Sequence, residues 1–266
     1  MERQVAWYPG HMAKAARRIR EYLQAIDVVV EVIDARIAVS GRNPLLDELA
    51  GSRQRVVALT RQDLADPTTT KRWLDDLAKR GASAVAVDGR SARSVARVAA
   101  AIEHSSVHPK RGIARAMIVG IPNSGKSSIV NALLRRAAAK TENRAGVTRH
   151  AQWFRLARNV ELMDTPGILQ PKISSAAAQW KLAICGAVPH DHYDPQEVVA
   201  VFHSWLVARD RGSQAPDLAT FAARRGFVQR RGEIDYHTAA HSYIHAFNDG
   251  AFGRISLEAP DDTEAA

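Results

Sequence analysis

The chain has 266 residues, enough for one large domain or two small ones, and 46% of them are hydrophobic, as in a globular protein. No apolar run reaches the length of a membrane span, and the first residues lack the apolar core of a signal peptide. The single cysteine, Cys185, excludes an internal disulfide framework and a cysteine-clustered zinc site. Together these features predict a cytoplasmic protein.

The formal net charge is +9, and it is unevenly distributed. Residues 1–178 contain 29 Lys and Arg against 16 Asp and Glu, whereas residues 179–258 contain 8 against 9. A basic surplus of this size favours a polyanionic partner such as nucleic acid. A solvated basic surface would give the same composition, so charge alone leaves both readings open.

Apolar runs and helical periodicity alternate through the first two thirds of the chain. Short apolar runs bounded by turn residues are typical of buried strands, and apolar residues at helical spacing are typical of helices. In chain order they predict a helix over 13–24, strands over 27–33 and 55–59, a helix from Pro67 to about Arg80, a strand over 83–87, a helix near 93–104, a strand over 116–119, a helix from Ser127, and strands over 151–157 and 160–163. This alternation predicts an α/β fold with a mostly parallel sheet and helices on both faces.

After about residue 175 the strand pattern stops and only helical patterns follow. We predict helices over 176–188, 195–209, 216–225 and 236–248, with Pro195 and Pro216 in first turns. The expected domain organisation is therefore an α/β domain over 1–175, a helical domain over 176–258 and an acidic, disordered tail over 259–266.

The strand over 116–119 leads into Gly120-Ile-Pro-Asn-Ser-Gly-Lys-Ser127, which matches the phosphate-binding pattern G-x-x-x-x-G-K-[ST]. In such a loop, backbone N–H groups and the N-terminus of the following helix surround phosphate oxygens. Lys126 can reach the β- and γ-phosphates, and the Ser127 hydroxyl can hold Mg²⁺. The nucleotide-binding residues expected here are Asn123, Ser124, Gly125, Lys126, Ser127 and Ser128. A plain glycine turn between strand and helix is the alternative.

A second phosphate-side element is Asp164-Thr-Pro-Gly167, which follows the last predicted strand. Asp164 can hold Mg²⁺ through water, and the Gly167 N–H can bond to a γ-phosphate. The segment lies 38 residues after Lys126, and Thr148 between them can close over Mg²⁺ when a γ-phosphate is present. Alone, D-x-x-G is a weak signal that is more often a plain turn.

Thr60-Arg61-Gln62-Asp63 follows the second predicted strand and is a candidate base-reading element. An Asp at this place can accept hydrogen bonds from guanine N1–H and N2–H₂, a donor pattern that adenine does not offer. The stem of Arg61 can cover the face of the base. Thr60 has no carboxamide, so an ordinary strand-to-helix loop is an equal alternative.

The order of these elements is unusual. Thr60–Asp63 comes before the loop at Gly120, which is followed by Thr148 and then by Asp164–Gly167. In ordinary GTPases the base-reading element follows the phosphate-binding loop. The order seen here resembles that of the circularly permuted GTPases.

Further motifs make the resemblance specific to one family of circularly permuted GTPases. Trp7-Tyr-Pro-Gly-His-Met-Ala-Lys14, Asp34-Ala-Arg36 and Ser40-Gly-Arg-Asn-Pro44 are similar to motifs of the ribosome biogenesis GTPase A family, which includes a mitochondrial GTPase that assembles the large ribosomal subunit. The resemblance covers about residues 7–250 and is looser in the C-terminal helices. It implies a circularly permuted P-loop GTPase domain followed by a small all-α domain.

The resemblance also implies roles for particular residues. Ile168, which cannot orient water, stands where many GTPases have a Gln; the resemblance gives this role to His11, as general base or as water-orienting group. The alternative is that His11 packs or contacts rRNA. The catalytic residues implied are His11, Lys126 and Gly167. Asn123 is linked by the resemblance to a K⁺ ion, or else only stabilises its loop.

Four features depart from the family pattern. Thr60 replaces Asn, Arg61 replaces Lys, the segment Ala86–Gly89 is a degenerate base contact, and Ala38 stands where Pro is expected. Losing one base contact costs about 1–3 kcal/mol if a buried group stays unpaired. We therefore expect weaker GTP binding than in a standard GTPase, with guanine still preferred through Asp63.

The resemblance implies rRNA binding by the C-terminal helices and a function as a GTP-hydrolysing assembly factor of the large ribosomal subunit. The RNA-binding residues expected are Arg17, Arg18, Arg224, Arg225, Arg230 and Arg231. The alternative is an rRNA-binding scaffold that binds nucleotide weakly and turns it over negligibly. The sequence does not indicate an oligomeric state.

Overall fold

A computed structural model describes residues 21–44, 50–51, 53–105, 112–138, 153–157, 159–164, 173, 175–227 and 233–263, without the side chains of 136–138, 157, 164 and 263. Of the helix predicted over 13–24, only its last residues fall within this range, and 21–23 are helical.

Six strands form one sheet: β1 Val28–Asp34, β2 Gln54–Thr60, β3 Ser83–Ala86, β4 Ala114–Val119, β5 Trp153–Ala157 and β6 Val160–Asp164. Their order is β3-β2-β1-β4-β6-β5. The neighbouring pairs from β3 to β6 are parallel, and β5 is antiparallel to β6 at the edge. The predicted α/β fold with a mostly parallel sheet is confirmed.

Helices cover both faces of the sheet because alternate strand residues point to opposite sides. Val28, Val30 and Val32 of β1 pack in one cluster with α2 Ala92–His104 and α3 Lys126–Ala138. Ile33 packs on the other face with α1 Pro67–Lys79. Both faces of the strand therefore carry buried apolar residues, although Glu31 interrupts the valine run.

α1 begins and ends where the sequence predicted. Asp66 is its N-cap and accepts a hydrogen bond from the Thr69 backbone N–H, and Pro67 occupies the first turn. Gly81, with φ of 76°, follows the last turn in a conformation that favours glycine.

Four helices follow the sheet: α4 Ala176–Ile184, α5 Pro195–Val207, α6 Leu218–Arg225 and α7 Tyr236–Asn248. Their shared core contains Phe202, Phe221, Tyr243 and Phe247. Among the described residues, no helix is both long and apolar enough to cross a membrane.

Three of these helices are shorter than predicted, and α5 ends two residues early, at Val207. α4 ends at Ile184 because Gly186 takes a left-handed φ of 74°. α6 begins at Leu218 because Asp217 is its N-cap, so Pro216 lies outside the helix and its carbonyl accepts the Tyr243 hydroxyl.

The chain then returns from α7 to the sheet. We call residues 255–258 the return segment. Ile255 donates its backbone N–H to Leu64, and Leu257 donates to Arg36, at 2.9 and 2.8 Å. The Trp73 indole N–H donates to the carbonyl of Glu258 at 3.2 Å. The return segment therefore ties the end of the chain to the segments that follow β1 and β2.

The predicted disorder of residues 259–266 is wrong for the part that the structure describes. Pro260–Thr263 forms a 3₁₀ helix, Asp262 accepts the Ala259 N–H, and Asp261 forms an ion pair with Arg72 of α1. Long-range contacts order this segment, and its acidic composition gave no sign of them. Residues 264–266 lie outside the described range.

Glu258 is the main polar contact of the return segment. It is 4% exposed, and its carboxylate accepts hydrogen bonds from the backbone N–H groups of Val39 and Ser40, from the Ser40 hydroxyl and from Lys181. Lys181 belongs to α4, so one buried carboxylate connects the loop after β1 with the helical part of the chain.

Replacing Glu258 by Ala should lower the free energy of unfolding by about 3–5 kcal/mol, because Lys181 and two backbone donors lose a buried partner. Asp261→Ala is the matched control, since Asp261 is 79% exposed and a surface pair contributes about 0–1 kcal/mol. Urea unfolding of both variants measures the difference. Equal losses would show that Glu258 does not carry this contact.

Candidate functional site

The strand–loop–helix context predicted for the phosphate-binding pattern is confirmed. β4 ends at Val119 and α3 begins at Lys126. We call residues 120–128 the phosphate loop. It turns at Gly125, whose φ of 92° is left-handed, and a Cβ atom there would lie 3.3 Å from the Thr60 side chain. Conformation and space therefore both favour glycine at this position.

Two side chains of the phosphate loop point to anion binding. Lys126 is 7% exposed, and its Nζ donates a 2.7 Å hydrogen bond to the carbonyl of Ile121. The buried Oγ of Ser124 has no hydrogen-bond partner within the described part of the chain. Such an unpaired hydroxyl costs about 1–3 kcal/mol, and a bound ligand is one explanation for it. Ser127 and Ser128 are exposed in the first turn of α3.

The end of β2 lies against the phosphate loop, and Thr60 connects them. β1 separates β2 from β4, and parallel strands bring their carboxyl ends to the same edge of the sheet. Thr60 is 2% exposed, and its Oγ1 lies 2.6 Å from the carbonyl oxygen of Ser124 and 3.0 Å from that of Ile33. The hydroxyl therefore links strand and loop although it lacks a carboxamide.

Arg61 lies between the phosphate loop and α7. Its backbone has a left-handed φ of 53°. Its Nη2 donates to the carbonyl of Asn123 at 3.1 Å, and its Nη1 donates to Asn248 Oδ1 at 2.9 Å. Its Nε lies 3.6 Å from Asp34 Oδ2. Arg61, the residue predicted to cover a base, therefore lies between Asn123, Asn248 and Asp34.

Asp63 lies beside the turn that follows β3. Its carboxylate forms an ion pair with Arg90, and the two side chains are 24% and 79% exposed. Within the same turn, a Cβ atom on Gly89 would lie 3.1 Å from Ser128 Cβ. The segment 60–63, the turn 88–90 and the phosphate loop therefore adjoin one another.

A cavity of about 450 Å³ opens next to Asp63, lined by Gln62, Asp88 and residues of α1 and α2. Among the described residues its lining includes none from the phosphate loop. This cavity therefore does not join Asp63 to Lys126.

Several predicted site residues cannot be compared with the geometry. Asp164 ends β6 in register with Ile118 of β4, which brings its backbone to the edge where the phosphate loop begins, but its side chain is not described. Arg224 and Arg225 are exposed at the end of α6, and the Arg225 guanidinium lies 5.5 Å from the Phe221 ring centre. The remaining predicted residues lie outside the described range: His11, Arg17, Arg18, Thr148, Gly167, Arg230 and Arg231.

A buried ion pair next to Arg61 has no counterpart in the predicted site. Asp34, the last residue of β1, accepts hydrogen bonds from the guanidinium of Arg36 on both carboxylate oxygens. Burial raises the pKa of Asp34, but the charge and hydrogen bonds of Arg36, together with the charge of Arg61, lower it by more, so this pKa lies below its usual range. Burial lowers the pKa of Arg36, but the acidic groups around it, with Asp34 contributing most, together outweigh that effect, so the pKa is raised. Both groups therefore stay charged.

Asp34 and Arg36 belong to a sequence motif but had no predicted role, and no sequence pattern indicated Asn248 or Gly186. Asn248 bonds to both Arg36 and Arg61, and the Asn123 side-chain N–H donates to the carbonyl of Gly186 at 2.7 Å. These contacts join residues far apart in the chain, so no local pattern indicates them.

The described residues fit a Mg²⁺ site only in part. Ser127 is exposed at the start of α3 and offers a hydroxyl oxygen of the kind that Mg²⁺ prefers, and β6 brings the backbone of Asp164 to the same edge of the sheet. Elsewhere, the described residues contain no group of three or more His, Cys, Asp and Glu that could hold a metal ion.

The known proteins to which this chain is similar are GTPases. The family described as 50S ribosome-binding GTPase matches residues 115–201. Ribosome biogenesis GTPase A of Priestia megaterium is 34% identical, with 98% of each chain covered. Mitochondrial ribosome-associated GTPase 1 of Mus musculus is 31% identical over 95% of this chain and 89% of that protein.

Solved structures are similar to this chain over nearly its whole length. The GNP-bound crystal structure of YlqF from T. maritima superimposes with a TM-score of 0.75 at 30% identity, covering 93% of this chain and 99% of that one. Its GDP-bound structure gives 0.73 at 29% identity, covering 92% and 100%. The predicted fold, a circularly permuted P-loop GTPase domain followed by a small all-α domain, is confirmed, and the chain binds and hydrolyses GTP as a member of the ribosome biogenesis GTPase A family.

Proposed function

We propose that this GTPase is an assembly factor of the large ribosomal subunit, whose affinity for the subunit and its rRNA changes with the bound nucleotide. The observation that carries the proposal is the contact between the base-reading segment and the phosphate loop, made by Thr60 with Ser124 and by Arg61 with Asn123. It makes a single guanine nucleotide site possible despite the altered order. The names of the relatives supply the link to ribosome assembly.

In the proposed site Asp63 accepts the guanine N1–H and N2–H₂ groups, and the stem of Arg61 covers the base. The ion pair between Asp63 and Arg90 must open or shift when guanine binds. Arg90 is largely exposed, so water can replace the lost partner. This competition, together with Thr60 in place of Asn, supports the expectation of weak GTP binding.

The phosphate loop supplies the other half of the site. Lys126 binds the β- and γ-phosphates, and Ser124, Gly125 and Ser128 line the loop around them. Ser127, Asp164 and Thr148 would hold Mg²⁺, which supplies positive charge against the phosphate oxygens. A K⁺ ion at Asn123 stays a prediction, and the bond from Asn123 to Gly186 supports a structural role for this side chain as well.

Hydrolysis needs an oriented water, and we assign that water to His11 as general base or as orienting group. The Gly167 N–H would bond to the γ-phosphate and so transmit its presence to the chain that leads into α4. Both residues lie outside the described range, so these roles rest on the motifs.

Exposed arginines are the proposed rRNA contacts. Arg224 and Arg225 lie together on the surface at the end of α6. Arg17, Arg18, Arg230 and Arg231 extend the proposal, since guanidinium groups bind phosphate well. We place this activity in the cytoplasm, where the composition predicted the protein.

Asp63→Asn tests the reading of the base. Two charge-assisted hydrogen bonds are weakened, so GTP affinity should fall roughly 10- to 100-fold, while XTP, whose C2 carbonyl accepts from an amide, should bind better. Asp76→Asn is the matched control, because Asp76 is also 24% exposed and paired with an arginine. Fluorescence titration with GTP, ATP and XTP gives the affinities. A preference for ATP, or unchanged GTP affinity in Asp63→Asn, would contradict the assignment.

GTP turnover with and without large ribosomal subunits tests the function. Subunits should raise turnover by roughly tenfold or more, and His11→Ala should slow the stimulated rate by about 100-fold while leaving GTP affinity unchanged. Small subunits serve as the control partner. Turnover that stays negligible while the chain binds rRNA would favour the scaffold alternative, and unchanged turnover in His11→Ala would remove His11 from the mechanism.

A further inference from the structure

The side-chain amide of Asn248, the last residue of α7, has all of its hydrogen-bonding groups occupied. Its Oδ1 accepts from Arg36 Nη2 and from Arg61 Nη1, both at 2.9 Å. Its Nδ2 donates to the carbonyls of Ile184 and Ile244, at 2.8 and 2.9 Å. Two donors face the oxygen and two acceptors face the nitrogen, so the orientation of the amide is fixed.

The two arginines reach Asn248 from the sheet, and they are held differently. Arg36 is 1% exposed, bonds to both oxygens of Asp34 and lies 4.8 Å from the centre of the Phe247 ring. It is a fixed part of the contact between the sheet and α7.

The position of the Arg61 side chain depends on Asn248 much more than the position of Arg36 does. The Asp34 carboxylate already bonds to Arg36. The Arg61 Nε lies 3.6 Å from Asp34 Oδ2, which is beyond hydrogen-bonding distance. Among the residues that the structure describes, the Arg61 guanidinium donates hydrogen bonds to Asn248 and to the carbonyl of Asn123. The Asp34 carboxylate lies beside two cations, Arg36 and Arg61, and the neutral amide oxygen of Asn248 is the second acceptor.

A second contact reaches the same place in the helical region. The Asn123 side chain donates to Gly186, and Asn248 donates to Ile184, two residues earlier in the turn that ends α4. The base-reading segment and the phosphate loop therefore both bond to one unit, made of the last turn of α7 and the turn after α4.

We propose that Asn248 is a positioning residue for the nucleotide site: it holds Arg61 in place from the helical region and thereby couples nucleotide affinity to the docking of α7 on the sheet. The inference rests on the proposed base-reading role of the segment 60–63. Since coupling between sites is reciprocal, a bound nucleotide should stabilise the contact at Asn248 by the same factor by which that contact raises nucleotide affinity. The contact is on the base side, so GDP and GTP should be affected equally.

A double-mutant cycle on the full chain tests this. Affinities for fluorescent GDP and for a non-hydrolysable GTP analogue are measured for the wild type, Asn248→Ala, Arg61→Ala and the double variant. Asn248→Ala should weaken both nucleotides by the same factor, roughly 5- to 50-fold. In the Arg61→Ala background the same substitution should change affinity by less than about twofold, because the side chain through which it acts is gone.

Two further variants separate positioning from stability. Tyr243→Phe removes a buried hydrogen bond to Pro216 from the same helix and should leave nucleotide affinity unchanged. Asn248→Asp keeps the acceptor for both arginines and loses the donor to Ile184 and Ile244, so its affinity should stay within roughly threefold of wild type even if its unfolding temperature falls.

An equal effect of Asn248→Ala with and without Arg61 would overturn the inference, and so would unchanged affinity in Asn248→Ala or a loss in Asn248→Asp as large as in Asn248→Ala. If Asp63→Asn weakens GTP but Asn248→Ala does not, only this inference fails. If the wild type binds no guanine nucleotide, the proposed function fails with it.

Discussion

The site depends on the joining of the end of β2 to the phosphate loop through the Thr60 hydroxyl, which lies 2.6 Å from the carbonyl of Ser124. Strand order makes this contact possible, because β2, β1 and β4 are parallel neighbours whose carboxyl ends share one edge. This contact depends on the order of the strands in the sheet and not on their order along the chain. The proposed base-reading segment comes long before the phosphate loop in the chain and still lies against it, so the permuted order is compatible with a single nucleotide site.

The permuted order also determines what surrounds the site. The segments after β1 and β2 carry both the arginines that meet Asn248 and the backbone groups that receive the return segment. Buried charges lie along this contact, with Asp34 bonded to Arg36 and Glu258 to Lys181. Buried ion pairs add little net stability but are costly to break. The Glu258–Lys181 pair, whose carboxylate also accepts from Val39 and Ser40, therefore favours one placement of α4 against the loop after β1.

Local patterns predicted the strands, the helix start at Asp66-Pro67 and the phosphate loop, because each depends on residues close together in sequence. Helix ends at Gly186 and Asp217 were misplaced by a few residues, since cap geometry overrides apolar periodicity there. Asn248 and Glu258 could not be predicted, because an amide or carboxylate gives no sign of a partner some two hundred residues away. The division into domains at residue 175 stays a prediction, although the contacts of the return segment show that the last residues pack on the sheet.

A crystal structure of the full chain with a non-hydrolysable GTP analogue tests the central claim most directly. The account predicts the guanine N1–H and exocyclic amine within hydrogen-bonding distance of Asp63, Arg90 displaced from that carboxylate, and the phosphates against Lys126 in the same cleft. Phosphates in the loop with the base directed away from Asp63, or an analogue bound elsewhere on the molecule, would contradict it.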